Sequence, residues 1–285
     1  MTDRLVLDHE SGARGGGTIS PQPPDQGIAR RAGPWRESGW VVLLTQVVAF
    51  VLLMLAWDAL GRSEIVDKTL ISGPLEVWEQ LTLLYESGTL VSQVTATMYA
   101  VLLSLLIGVP AGGLIGLVLG SSKFLDRVAE PFLVPLNSLP RIALAPLFIV
   151  WFGLTVNAKA AVGVTLVVFI MLFNTRAGVK ETDRDLLVLA DSLGMSTIER
   201  YRKIVLPGSV PVVVAGIRLS LTYALLGVIA SEMIGSRDGL GTDIVRYSNT
   251  LQVGGVFAVL VILALISFVL DRLLGVFERW ALRWQ

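Results

Sequence analysis

The sequence predicts an all-α, polytopic membrane protein with six transmembrane helices and one long charged loop. Three observations carry that prediction. Of 285 residues, 53% are hydrophobic and only 16% are charged, against about 25% charged in ordinary soluble domains. The charges cluster between apolar runs instead of being scattered along the chain. Six of those runs approach the roughly 20 residues that cross a bilayer as a helix.

Residues 1–39 are rich in Gly, Pro and Arg, with Gly15-Gly16-Gly17 and Pro23-Pro24, and they lack hydrophobic periodicity. A disordered tail is expected there. No cleavable signal peptide is expected, because no apolar region precedes Trp40. A transmembrane domain is expected over 40–280. Its first span, about 40–57, is uncharged and carries Trp40 and Trp57 at its ends, where indole rings suit the two membrane interfaces. In the polar stretch that follows, Pro74 starts a short helix with Leu75, Trp78, Leu81 and Tyr85 on one face. Such a face lies either in the membrane interface or on a partner protein.

The second span, about 92–120, carries Gly108, Gly112, Gly116 and Gly120 at intervals of four. On a helix this is a smooth ridge that packs closely, either on another helix of the chain or on a second copy. After the charged turn Lys123–Arg127 comes the third span, about 128–153, with prolines at 131, 135, 140 and 146. A span so rich in proline is kinked or broken. Arg141 sits inside it, where a charge costs roughly 2.5–3.5 kcal/mol on insertion scales. It therefore serves either the translocation pathway or a structural contact at a helix end. The fourth span is about 158–174. The fifth, about 210–234, is entered by Pro211, with Arg218 near one end and Glu232 near the other. A glycine-rich loop, 235–255, leads to the sixth span, about 248–270.

The loop 176–209 holds the longest charged stretch between two spans. Within it Leu186 to Pro207 reads as helix, break, helix. Thr182 and Asp185 are the expected caps of the first helix, with Leu186, Leu189 and Leu193 on one face. Gly194 stands where a C′ glycine ends a helix. Ser196 and Glu199 form a capping box for the second helix. Ile198, Tyr201 and Val205 recur at helical spacing among Arg200, Arg202 and Lys203. Pro207 is expected to stop that helix. The product is a helical knob with an apolar stripe and a basic rim. On residue types alone it is either a docking element or an amphipathic loop lying on the membrane.

Several chemistries are excluded. There is no cysteine, and the single histidine, His9, lies in the tail, so a thiolate or imidazole centre is not expected. No G-x-x-x-x-G-K-[ST] stretch occurs, so the chain should not bind ATP through a P-loop. The chain is not read as an enzyme, and no cofactor or metal is expected in it. Net charge is zero, which suggests no nucleic-acid partner. With six spans, sixteen Lys and Arg fall on the side of the termini and the 176–209 loop. Five fall on the other: Arg62, Lys68, Lys159, Arg237 and Arg246. By the positive-inside rule both termini and the knob face the cytoplasm of a cell-membrane protein.

The knob resembles the coupling loop of ABC-transporter importer permeases. Ala190, Gly194, Ile204 and Leu206-Pro207 stand at that family's spacing, while Val188 and Leu189 occupy its usual Glu-Ala pair. The stretch LPRIALAPLFIVWFG, Leu139 to Gly153, is similar to the branch importing nitrate, sulfonates, taurine, pyrimidine precursors or aromatic acids. Gly216-Ile217-Arg218-Leu219, Ser231-Glu232-Met233 and Gly239-Leu240-Gly241 also match these permeases. The resemblance implies an ATP-driven importer permease for a small anionic or heteroaromatic solute or oxyanion. It implies two copies of a separate ATPase subunit that holds ATP and Mg, an extracytoplasmic substrate-binding protein and a second permease copy. It implies an ATPase-docking set of Leu189, Ala190, Ser192, Leu193, Gly194, Met195, Ile198, Tyr201, Ile204, Leu206 and Pro207. Arg141, Ser231, Glu232 and Met233 are the pathway candidates. The alternative reading is an ion-gradient-driven secondary transporter, which would need ionisable residues mid-membrane. The two intramembrane arginines and one glutamate form no obvious relay for it.

Overall fold

Residues 39–62 and 72–281 are described by a computed structural model, and all regular structure in them is helical. The tail expected over 1–39 lies outside the described residues apart from Gly39. The helices are α1 (Gly39–Arg62), α2 (Pro74–Glu86), α3 (Thr89–Ser121), α4 (Lys123–Ser138), α5 (Ala145–Phe152), α6 (Val156–Lys180), α7 (Arg184–Ser192), α8 (Thr197–Arg200), α9 (Leu206–Ile234), α10 (Leu240–Asn249) and α11 (Val253–Ala281). The chain divides into a unit ending at Leu52 and a second beginning at Leu53. The described part of the first is the start of α1, an uncharged stretch exposing Trp40, Leu44 and Phe50.

Five helical stretches among the described residues are long and apolar enough to cross a membrane: Gly39–Gly61, Thr89–Ser121, Val156–Lys180, Thr197–Ile234 and Val253–Arg279. The third expected span, 128–153, is not one helix. Lys123–Ser138 and Arg141–Phe152 pass the same test only as a pair, bent by 80°. The bend follows from Pro140, which has no N–H to donate and holds Leu139 in extended backbone (φ −66°, ψ 132°). Arg141–Leu144 then form a 3₁₀ turn before α5.

The core of the second unit is a layer of α3, α6 and α9, with α6 between the others. Ala100, Val101, Val167, Met171, Ala224, Leu225 and Val228 are its buried side chains. The glycine ridge of α3 is spent inside the chain. Cβ atoms at Gly108 and Gly120 would meet Val167 and Val179, and those at Gly112 and Gly116 would meet the backbone carbonyls of Val168 and Leu172. The close approach of α3 to α6 therefore exists because these positions lack a Cβ. The outward faces of α3, α9 and α11 expose many large apolar side chains, Leu106, Leu114, Leu226 and Leu265 among them. Such surface suits lipid and would be an aggregation liability in water.

A second cluster joins α2, α10 and α11 through Val77, Leu84, Leu240, Ala258, Val259, Ile262 and Leu263. The face of α2 that packs is thus Val77, Leu81 and Leu84. Of the expected apolar face, Leu75, Trp78 and Tyr85 remain exposed and only Leu81 packs inward. The loop expected over 235–255 contains α10. Leu240, Ile244 and Tyr247 recur at helical spacing and were its sequence signal. Just beyond α10, Leu251 has φ 57°, the left-handed conformation more often given to glycine.

Candidate functional site

The knob is a built object. Asp183, rather than Thr182 or Asp185, caps α7: its carboxylate accepts the Asp185 N–H at 2.8 Å. At the other end Met195 N–H donates to the Ala190 carbonyl (3.0 Å) and Gly194 N–H to that of Asp191 (3.1 Å). These are the two bonds of a Schellman motif, with Gly194 at φ +66°. Ser196 and Glu199 form the reciprocal capping box of α8, and Arg200 ties the second helix back to Asp191 of the first at 2.6 Å.

The helix does not stop at Pro207. Tyr201–Val205 is a π-helical turn in which Leu206 N–H donates to the Tyr201 carbonyl, and the helix then continues into α9. The wider turn places Pro207 in the first turn of α9, where a missing N–H is tolerated. The knob is therefore continuous with a transmembrane helix. Tyr201 also donates its hydroxyl to the Ser121 carbonyl at the end of α3, at 2.8 Å. The end of α6 is fixed beside it, with Arg176 and Lys180 both bonded to Asp126.

Exposure divides the expected docking residues. Leu189, Leu193 and Ile198 are 55%, 70% and 79% exposed. Ser192, Gly194 and Leu206 are also exposed. Ala190 is buried, and Met195, Tyr201, Ile204 and Pro207 are half-buried. Ala190 and Tyr201 hold the knob from inside. The outward apolar surface is Leu186, Val188, Leu189, Leu193 and Ile198.

Gly194 offers a clean test of the knob's stiffness. A Cβ there meets nothing within 4 Å, so any effect of substitution arises from the backbone. Gly194→Val should cost about 1–2 kcal/mol of local helix-break stability, and Gly194→Asn much less. Hydrogen exchange of the Met195 amide in the two variants would show the difference; equal protection would refute the assignment.

At the opposite ends of α6 and α9 lies a buried charged cluster that sequence reasoning missed. Lys159 and Glu232 are both buried, 3.3 Å apart. Lys159 also reaches the carboxylate (2.6 Å) and carbonyl (2.9 Å) of Asp238. Thr97 Oγ1 lies 3.0 Å from both Glu232 oxygens and accepts the Leu240 N–H, while Gly241 N–H donates to Glu232 at 2.9 Å. Gly239, at φ +112°, has no room for a Cβ beside that carboxylate. Gln93 and Asp243 extend the cluster, with Gln93 accepting the Gly239 N–H. Burial pushes the Asp243 carboxyl up from its ordinary value, and Arg246, 3.0 Å away, opposes that shift. The sequence signal was depth: Lys159 lies early in the fourth span and Glu232 late in the fifth, at the same end. Lys159, expected in the outer loop count, is instead a core residue.

The pathway candidates are not brought together. Arg141 sits at the α4–α5 bend and donates to Asn137 Oδ1 (2.8 Å) and, at 3.4 Å, to the carbonyls of Leu136 and Asn137. Its guanidinium stacks 4.1 Å from the Phe169 ring centroid. It thus serves the last carbonyls of α4. Ser231 is buried, Glu232 belongs to the cluster above, and Met233 is exposed. Arg218 pairs with Asp271 (2.7 Å) and Glu278 (3.4 Å) of α11.

The chain matches the family model "Binding-protein-dependent transport system inner membrane component" over residues 108–283. It is 31% identical to the putative aliphatic sulfonates transport permease protein SsuC of Bacillus subtilis (strain 168), over 92% of this chain and 95% of that protein. It is 28% identical to the formylaminopyrimidine transport permease protein ThiX of Halalkalibacterium halodurans, over 85% and 96%. Among solved structures, an amino acid ABC transporter shares the fold at TM-score 0.57 and 21% identity, covering 70% of this chain and 97% of that one. The membrane-spanning helices, the knob built into one of them and these matches agree: the chain belongs to the binding-protein-dependent transport system inner membrane components, the permease subunits of ABC importers.

Proposed function

We propose that the outward stripe Leu189–Leu193–Ile198 docks a cytoplasmic ABC ATPase, and that the loop carrying it faces the cytoplasm together with both termini. The observation that carries this reading is the knob's construction. Both helix ends are capped, Arg200 cross-ties them, and the second helix runs through a π-helical turn into α9. A push on the exposed stripe would therefore reach the transmembrane helix without being absorbed by a hinge. ATP and Mg are held by the partner. Two ATPase copies act on two permease copies, and their closure swings the permease halves so that a central cavity opens to the loaded binding protein.

The solute is a small organic anion, oxyanion or heteroaromatic compound. The names of the sulfonate and formylaminopyrimidine relatives support that class. Of the four pathway candidates, Met233 has the exposure to meet it, while Glu232 and Arg141 act through the fold.

The test is purification of the chain with its ATPase from native membranes, wild type beside Leu189→Asp/Leu193→Asp. Both side chains are exposed, so the variant should fold. The ATPase should co-purify with wild type and be lost at least tenfold from the variant, since desolvating two carboxylates in an apolar contact costs more than the 1.4 kcal/mol per decade. Undiminished co-purification would overturn the docking assignment.

A further inference from the structure

Beside the knob, the ends of α3 and α6 and the start of α4 enclose a cleft of about 760 Å³. Its charged lining is Lys123, Asp126, Arg127, Lys180, Asp191 and Arg200. Both carboxylates are already engaged, Asp126 by Arg176 and Lys180 and Asp191 by Arg200. Lys123 and Arg127 have no carboxylate partner among the described residues, so the cleft carries a surplus of two positive charges. They lie one turn apart on α4 and are exposed.

We propose that this cleft binds the phosphate headgroup of an anionic phospholipid, with Lys123 and Arg127 as its ligands. The level is right for a headgroup, because α3 and α6, two membrane-spanning helices, both end at the cleft. Phe124, Val128 and Phe132 form an exposed stripe on α4 immediately beside the two cations. That stripe offers acyl chains an apolar track leading away from the charged pocket. A soluble phosphate would use the cations and ignore the stripe, and a zwitterionic lipid would leave the positive surplus uncompensated. The proposal needs only that the knob end of the helices lies at a bilayer surface, so it stands apart from the ATPase assignment.

The experiment uses the transporter complex purified in mild detergent from native membranes, with retained phospholipid extracted and quantified by mass spectrometry. Wild type and the charge-preserving Lys123→Arg/Arg127→Lys should retain anionic phospholipid alike. Lys123→Gln/Arg127→Gln should retain several-fold less with zwitterionic lipid unchanged. Arg279→Gln, which removes an exposed charge away from the cleft, should match wild type. Equal retention in the glutamine variant would overturn the proposal. So would displacement of the lipid by inorganic phosphate without any effect of Phe124→Ser/Phe132→Ser, which would make the site one for soluble phosphate. Loss of ATPase with unchanged lipid would also overturn it and assign the cations to the partner protein.

Discussion

Replacing Lys159 with methionine should cost about 3–5 kcal/mol, because it leaves the Glu232 carboxylate buried without its cation. Thr97 and the Gly241 amide would remain, but two hydrogen bonds do not replace a charge partner at 3.3 Å. The expected observation is a sharp loss of monodisperse protein and a lower midpoint of thermal aggregation in detergent. Lys159→Met/Glu232→Gln should recover most of that loss. The amide can donate to Thr97 and accept from Gly241, and no buried charge remains. Asp238→Asn should cost about 1 kcal/mol or less, because that carboxylate is 53% exposed. A single Lys159→Met variant as stable as wild type would show that the cluster does not hold the 238–241 loop to α3, α6 and α9.

Gly112→Ala should also be damaging, although alanine is the better helix former. Its Cβ would overlap the Val168 carbonyl and crowd Met171, so α3 and α6 must separate along their whole contact. A cost at the upper end of the 1–3 kcal/mol range for overpacking is expected. The adjacent Gly113 is the control. A Cβ there lies 4.0 Å from the nearest atom, Thr175 Oγ1, so Gly113→Ala should stabilise by about 0.5–1 kcal/mol through helix propensity. Thermal midpoints of the two variants should move in opposite directions. If both rise, the ridge is not what sets the α3–α6 distance.

The all-α class and the long apolar helices were legible because lipid demands continuous apolar runs, which composition exposes directly. Gly194 and the Ser196–Glu199 box were legible because each acts within a few residues of itself. What sequence reasoning missed depends on distance or on a compensating irregularity. Pro207 read as a stop, since nothing local announces the π-helical turn that absorbs it. The four prolines around Arg141 marked a kinked or broken span, but the 80° angle and the contact with Phe169 are tertiary. Glu232 stood out as an intramembrane carboxylate, but the cluster it joins was hidden from local reading. Its partners are 73 and 135 positions away in the chain.

The most direct test of the central claim exploits the absence of cysteine from the sequence. Ile198→Cys introduces one thiol at the exposed tip of the knob, where a benzophenone maleimide can be attached in inside-out membrane vesicles. The docking account predicts that irradiation yields a covalent adduct with a P-loop ATPase subunit, and that Leu189→Asp/Leu193→Asp in the same chain suppresses it. Labelling that succeeds only in right-side-out vesicles, or an adduct with lipid alone while the ATPase is present, would contradict the account.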